Sequence, residues 1–189
     1  YDTEAPQIIR VSDAISPDEL FNIYGEGLED TAEVYIMPTT QEKPADAPDT
    51  KTAVKCEVVG FDEEGGEHYI VCKTPDNIVA GSYFIWVKNE AGFSKPVYLN
   101  GARPQWIDRE EAAIGQKMRI LGRNLDAREF DAHLSTSVAF VKDGKGTNAQ
   151  IVSINPYCIE VIPPEGLEEG EYSVAVTNDG ALWFELEDD

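Results

Sequence analysis

The chain is 189 residues long, 42% hydrophobic and 10% aromatic, and its 36 Asp and Glu against 15 Lys and Arg give a net charge of −21. That length accommodates one large domain or two of about 90–100 residues, each with its own core. A strongly negative chain repels phosphate backbones and anionic lipids, which argues against nucleic-acid partners, and no apolar run of about 18 residues predicts membrane insertion.

Short β-strands are predicted throughout the first half of the chain. The runs are rich in Val, Ile and aromatic residues and are separated by Gly, Asn, Asp and Pro. They are FNIYG (21–25), AEVYI (32–36), VKCEVVG (54–60), YIVCK (69–73), YFIWV (83–87) and PVYL (96–99). A segment rich in Pro, Asp, Lys and Thr, residues 37–52, interrupts them and is predicted to form a long surface loop.

The second half of the chain shows the same kind of pattern. Its predicted strands are MRILG (118–122), SVAFV (137–141), AQIVSI (149–154), YCIEVI (157–162), YSVAV (172–176) and LWFEL (182–186). Neither half contains a sustained apolar period of 3.6 residues, which is the signature of an amphipathic helix. The pattern therefore predicts all-β sandwiches.

Two sequence matches indicate that the halves are copies of one unit. The stretch that starts at Pro6 aligns with the stretch that starts at Pro104, with one deletion, and ends in the similar hexapeptides IYGEGL and ILGRNL. Farther on, each copy has Pro, then Gly six residues later, then a strand of form G-x-Y-x-[IV]-x-V-x-N. We predict two domains, residues 1–101 and 102–189, joined by an elbow at NGARP.

These motifs resemble those of IPT/TIG domains. IYGEGL and ILGRNL are similar to the family's G-x-[NG]-[LF] turn, and TPDNIVAGSYFIWVKNEAG and IPPEGLEEGEYSVAVTNDG resemble its closing strand and turn. The resemblance covers almost the whole chain and implies two tandem immunoglobulin-like β-sandwiches of the E-set type. The family occurs in cell-surface receptors, some transcription factors and bacterial extracellular enzymes, and the acidic composition argues against the DNA-binding branch.

The resemblance also implies a role. The segment PQWIDREEAAIGQKMRILGRNL is similar to paired modules that precede β-helix polysaccharide-degrading domains of secreted bacterial enzymes. We therefore expect a non-catalytic spacer and interaction unit of an exported or cell-surface bacterial protein, with an adjoining domain or another protein as partner and without a cofactor. No signal segment begins at Tyr1, so an exported chain would be mature or trimmed.

Several single residues receive structural interpretations. Gly25 and Gly122 are predicted to give the chain a tight exit after a strand, and Asn89 and Asn178 to end strands before EAG and DG, which are hairpin turn signals. Trp106 aligns with Ile8 of the first copy, an inward position, and is therefore predicted to lie in the core.

The strand at residues 83–87 has large apolar side chains on both faces, because Phe84 and Trp86 alternate with Tyr83, Ile85 and Val87. Three interpretations of the Phe84 and Trp86 face stay open. It packs against the second module or the 37–52 loop, it contacts a protein or adjoining domain, or it stacks on sugar rings. The glycan-binding alternative uses Phe84, Trp86, Tyr98 and Trp183, the last predicted to face outward.

The sequence pattern gives little support for a catalytic site or a metal site. His68 and His133 occupy non-equivalent places in the repeat, and the many acidic pairs have neither glycosidase context nor EF-hand spacing. We expect solvated acidic turns, with structural calcium as the minority hypothesis. Cys56, Cys72 and Cys158 are an odd number and are interpreted as buried reduced thiols, with a Cys56–Cys72 disulfide as the alternative.

Overall fold

The computed structural model describes residues 4–40, 42–64 and 67–186. The chain divides into two compact units, Tyr1–Asn100 and Gly101–Asp189. Apart from a short 3-10 helix at Ala127–Glu129, the regular elements of the described residues are antiparallel β-strands. None of the described segments forms a helix long and apolar enough to cross a lipid bilayer.

The described residues of the first unit form eight strands. They are β1 (Gln7–Val11), β2 (Leu20–Glu26), β3 (Glu33–Pro38), β4 (Val54–Glu64), β5 (Glu67–Lys73), β6 (Tyr83–Asn89), β7 (Gly92–Phe93) and β8 (Val97–Leu99). Their order is β1-β2-β5-β4-β3-β6-β7, with β8 beside β6. The long strand β4 belongs to both layers, since Cys56 pairs with Val34 of β3 while the residues from Glu57 onward pair with β5.

Alternation along these strands builds the core of the first unit. Residues of β2 and β5 on one layer meet residues of β3 and β6 on the other, and all are less than 3% exposed. They are Phe21, Ile23, Ile70, Cys72, Val34, Ile36, Ile85 and Val87. Two layers facing each other across one apolar interior make this unit a β-sandwich.

The second unit has two four-stranded sheets, β13-β14-β10-β9 and β12-β11-β15-β16. The strands are β9 (Arg103–Ile107), β10 (Met118–Arg123), β11 (Ser137–Lys142), β12 (Lys145–Asn148), β13 (Gln150–Asn155), β14 (Cys158–Ile162), β15 (Ser173–Thr177) and β16 (Phe184–Glu185). The counterpart of β4 is broken into β12 and β13 at Ala149, whose N–H donates to the Val138 carbonyl at 2.8 Å. This unit has its own core, which includes Ile120, Phe140 and Val176.

Each unit contains a tyrosine corner, in which the tyrosine hydroxyl donates to the backbone four residues upstream. Tyr83 at the start of β6 donates to the Val79 carbonyl, and Tyr172 just before β15 donates to the Glu168 carbonyl at 3.0 Å. The tyrosine corner and two packed antiparallel sheets are hallmarks of the immunoglobulin-like sandwich. Both units therefore have the Ig-like fold that the sequence predicts.

Asn89 and Asn178 also occupy equivalent places, but they differ in the turn that follows. Asn89 accepts hydrogen bonds from the N–H groups of Ala91 and Gly92, as the turn prediction requires. Asn178 is buried and donates to the Asn124 carbonyl at 2.9 Å. The turn after it is capped by the carboxylate of the next residue, Asp179. A turn between antiparallel strands thus follows both asparagines as predicted, although β15 ends one residue before Asn178, at Thr177.

Gly25 and Gly122 lie inside strands rather than after them, contrary to the prediction. Gly25 is part of β2 and Gly122 is part of β10. A Cβ on Gly25 would lie 2.0 Å from the Gln7 carbonyl oxygen, and one on Gly122 would lie 2.0 Å from the Arg103 carbonyl oxygen. These glycines are required because the first strand of each unit crosses directly over them.

Trp106 is 56% exposed, so the prediction that it lies in the core is wrong. It pairs with Leu121 of β10. The next residue, Ile107, pairs with the core residue Ile120 and packs against the core.

The error comes from the alignment of the first strands. Tyr24 and Leu121 each directly precede one of the two matched glycines, and Arg10 pairs with Tyr24 as Trp106 pairs with Leu121. Trp106 is thus the structural counterpart of Arg10, two residues beyond Ile8. In both units the pairing register shifts between these positions, between Ile8 and Arg10 in β1 and between Pro104 and Trp106 in β9. This irregularity breaks the inward and outward alternation, so a residue two positions beyond an inward one faces outward, which the sequence pattern does not reveal.

Candidate functional site

The outer face of the β3-β6-β8 layer carries a cluster of four aromatic side chains, Tyr35, Phe84, Trp86 and Tyr98, here called the aromatic face. Trp86 lies opposite Tyr35, and Phe84 lies opposite Tyr98. The Phe84 ring centroid is 6.1 Å from that of Trp86 and 5.5 Å from that of Tyr98. The structure thus brings three of the four proposed binding residues together.

The aromatic face is nevertheless largely closed. Phe84 is 4% exposed and Trp86 is 2% exposed. The Trp86 indole N–H donates to the Ala45 carbonyl at 3.1 Å, within the connection between β3 and β4. Because neither ring offers a free face, the structure contradicts sugar stacking by Phe84 and Trp86 and agrees with the interpretation that this face packs against the loop.

The covering connection, residues 39–53, of which the structure describes all but residue 41, is fixed by hydrogen bonds near both ends. At its start, the Thr39 N–H donates to the Ser82 carbonyl at 3.1 Å, and the two hydroxyls lie 2.8 Å apart. At its end, Asp49 accepts from the N–H of Lys51 at 3.0 Å, and Pro48 is buried. A Trp with a satisfied N–H beneath such a segment is a packed interior residue.

Tyr98 and Trp183 remain accessible. Tyr98, at the margin of the aromatic face, is 46% exposed. Trp183, directly before β16 in the second unit, is 38% exposed, in agreement with its predicted outward orientation. The ring that Tyr98 contacts, that of Phe84, is itself buried.

A small charged network borders the aromatic face. Glu33 accepts hydrogen bonds from Lys55 at 2.5 Å and from the Tyr35 hydroxyl at 2.9 Å, and Lys88 lies 3.8 Å away. The hydrogen bond from Lys55, followed by that from Tyr35, lowers the pKa of Glu33, and burial acts in the opposite direction. The network orients the Tyr35 side chain.

His68 lies edge-on to Phe61 at 5.8 Å, and among residues 4–40, 42–64 and 67–186 no cluster of His, Cys, Asp and Glu has metal-binding geometry. All three cysteines are free thiols. Burial raises the pKa of Cys56 to about 12 and also raises that of Cys72, which keeps both thiols protonated. Cys158 is only partly buried, because its neighbour Ile159 faces the core.

A concave surface lies elsewhere, on the outer face of the β1-β2-β5 layer. This surface, here called the tyrosine groove, has a volume of about 530 Å³ and is open to solvent. Its aromatic and polar lining consists of Arg10, Ser12, Asp13, Asn22, Tyr24 and Tyr69. A volume of this size lies within the range of about 300–1,000 Å³ typical of small-molecule sites.

Neighbouring strands position the groove's side chains. Tyr24 of β2 pairs with Tyr69 of β5, and Tyr69 donates its hydroxyl proton to Asp62 at 3.0 Å. The Arg10 guanidinium lies over the Tyr24 ring, 5.5 Å from its centroid. Backbone and hydroxyl hydrogen bonds between Ser12 and β2 hold the segment that follows β1 against β2.

Part of the groove is visible in the sequence pattern. Tyr24 alternates with the core residues Phe21 and Ile23, and Tyr69 precedes the core residue Ile70. Both tyrosines are therefore readable as outward-facing. Their adjacency could not be read from the chain, because it depends on which strands pair and in which register.

Comparisons with known proteins add no family assignment. No protein-family model matches the chain, and no curated protein matches it. Solved structures resemble it in part. A complex with a xylogluco-oligosaccharide has a TM-score of 0.48 and 16% identity, and the match covers 97% of this chain and 40% of that one.

Two further structures illustrate the range of these similarities. SGBP-B from the mixed-linkage glucan utilization locus of Bacteroides ovatus, in complex with a heptasaccharide, has a TM-score of 0.36 and 18% identity, with 98% of this chain and 42% of that chain covered. A titin fragment of three Ig domains has a TM-score of 0.25 and 16% identity, and the match covers 96% of this chain and 63% of that chain. The chain thus spans about two fifths of the first two proteins, and at such identities the likeness assigns no ligand or activity.

Proposed function

We propose that the chain is a non-catalytic pair of IPT/TIG-like sandwiches that acts as a spacer and interaction unit in an exported or cell-surface bacterial protein, one that acts on carbohydrate. The partner would be an adjoining domain of the same protein or another protein. The fold supports this role because each unit fills its own interior with apolar side chains, such as Ile23 and Ile85 in the first and Ile120 and Val176 in the second.

The observation that carries the spacer role is how the chain passes from one unit to the next. The Asn100 side chain accepts from the Ile15 N–H at 2.7 Å and donates to the Ile15 and Gly81 carbonyls at 2.6 and 3.0 Å. Gly101 packs against the Phe184 ring and accepts from the Asn124 amide at 3.4 Å. Consecutive residues are thus anchored in different units, and no unanchored residue lies between them to act as a flexible linker.

Small-angle X-ray scattering tests this proposal against a matched control. The control is a variant with six Gly-Ser residues inserted between Asn100 and Gly101. We expect one narrow distribution of maximum dimensions for the unaltered chain and a broader, longer one for the insertion variant. Equal breadth in both would overturn the spacer role.

The non-catalytic part of the proposal has its own test. Incubation with a panel of plant polysaccharides, including pectin, should release no reducing ends above those of a heat-denatured sample. Turnover by the purified chain would contradict it. For the location, we expect the complete gene to encode a signal peptide upstream, and a gene without one would contradict export.

A further inference from the structure

We propose that the tyrosine groove binds a neutral oligosaccharide. This inference goes beyond the spacer role, which needs no ligand, and it moves glycan binding away from the aromatic face, where Phe84 and Trp86 are covered. It rests on the shape of the groove, on the chemistry of its lining and on its charge.

The floor of the groove offers two aromatic rings on neighbouring strands. Tyr24 and Tyr69 are direct cross-strand partners on the outward face, a relation that places Cβ atoms about 4.5–5.5 Å apart. The hydrogen bond from Tyr69 to Asp62 fixes one ring, and the Arg10 guanidinium packs over the other. Such a floor presents apolar area at low cost in conformational entropy, as tyrosines do in other binding surfaces.

The rim supplies both kinds of hydrogen-bonding group. Arg10 is a donor only and the Asp13 carboxylate an acceptor only, whereas the Asn22 amide and the Ser12 hydroxyl can do either. A sugar presents hydroxyls that donate and accept around an apolar ring face. Donors and acceptors around paired aromatic rings are therefore complementary to a saccharide.

The charges of the groove and of the whole chain favour a neutral ligand. One cation, Arg10, and one anion, Asp13, balance each other in the lining, while the chain as a whole has a net charge of −21. That field disfavours uronate polymers and other polyanions. An extended peptide would find no backbone partners on the floor, because β2 and β5 are internal strands whose backbone groups already pair on both sides.

The second unit carries different side chains at the equivalent places and supplies the matched control. There Trp106, Leu121 and Cys158 occupy the places of Arg10, Tyr24 and Tyr69. It does contain another stacked pair, with Arg123 lying 5.7 Å from the ring centroid of Tyr157, which is 60% exposed. Removing Tyr157 therefore deletes an exposed tyrosine with the same kind of neighbour but outside the groove.

The test uses affinity electrophoresis and titration calorimetry of the full chain with xyloglucan, mixed-linkage β-glucan and galactomannan, and with polygalacturonate as the charged counterpart. At least one neutral polymer should retard the chain, and polygalacturonate should not. Replacing both Tyr24 and Tyr69 by alanine should weaken binding about tenfold or more, whereas Tyr157→Ala should leave it unchanged.

A thermal melt confirms that each variant is folded. If the double variant does not fold, Arg10→Ala, at an exposed residue of the groove, replaces it and should also weaken binding. Retardation by none of the three neutral polymers would overturn the proposal. So would equal binding of polygalacturonate, or binding that survives the groove substitutions. The spacer role is measured by scattering without any ligand, so failure of one proposal leaves the other intact.

Discussion

The two units share one framework but treat the outer face of the β3-β6 layer in opposite ways. In the first unit, Tyr35 pairs with Trp86, and a long connection lies over them. In the second unit, the equivalent cross-strand pair is Ala139 with Ala175. There β11 and β12 are joined by the two-residue turn Asp143–Gly144, whose φ angles of 51° and 74° are those of a tight hairpin.

This difference teaches that the large side chains and the long connection belong together. The alanines of the second unit are buried as well, Ala139 at 4% and Ala175 at 2% exposed, but their side chains are small and a two-residue hairpin takes the place of the long connection. A face of Trp and Phe would expose a large apolar patch, and the 39–53 segment removes it from solvent. The first unit therefore has a second, smaller apolar interior outside its sandwich.

The largest expected effect comes from removing the centre of that interior. Trp86→Ala should lower the free energy of unfolding of the first unit by about 3–5 kcal/mol, because it leaves a cavity and frees the Ala45 carbonyl. Trp106→Ala, at a residue that is 56% exposed, should change stability by less than about 0.5 kcal/mol. Urea denaturation measures both.

Limited proteolysis adds a local readout to the same pair of variants. Cleavage within 39–53 should become faster in Trp86→Ala and stay unchanged in Trp106→Ala. If the two substitutions cost equal stability and leave cleavage unchanged, the connection does not depend on the tryptophan.

The second prediction concerns what the units share. Gly25→Ala and Gly122→Ala should each destabilise their own unit by about 3 kcal/mol, since the added Cβ meets a backbone oxygen at 2.0 Å. Gly60→Ala and Gly146→Ala are the controls, because their added Cβ atoms lie 3.5 Å from the nearest side chain. Thermal melts of all four should separate the two pairs, and a strong effect in only one of the units would contradict a shared crossing.

The smallest effect is the pH dependence of the Glu33 network in the first unit. The pKa of Glu33 is lowered, so its stabilising contribution is complete above the ordinary value of 4.5 and is lost as the pH falls through the lower folded-state value. The melting temperatures of the unaltered chain and of Glu33→Gln should therefore differ most near neutral pH and converge in acid. Glu90→Gln, at an exposed turn residue, is the control, and a gap that widens on acidification would contradict the assignment.

The fold was largely readable from the chain, because it depends on local and repeated features. Alternating Val, Ile and aromatic residues between turn formers predict strands whose inner positions, such as Ile23 and Ile85, are buried in the structure. The two tyrosines that follow Gly81 and Gly170 mark the same corner in both copies. A duplicated pattern carries this information twice, which is why the sandwich prediction is confirmed.

Only the tertiary structure decided which outward side chains are covered and which are neighbours. Trp86 and Trp106 are both strand tryptophans, yet one lies beneath a distant connection and the other is open to solvent. Tyr24 and Tyr69 are separated by a long stretch of chain and meet because β2 pairs with β5. Alternation specifies the face on which a side chain lies, whereas cover and adjacency arise from strand order, register and the path of loops, and these are properties of the whole fold.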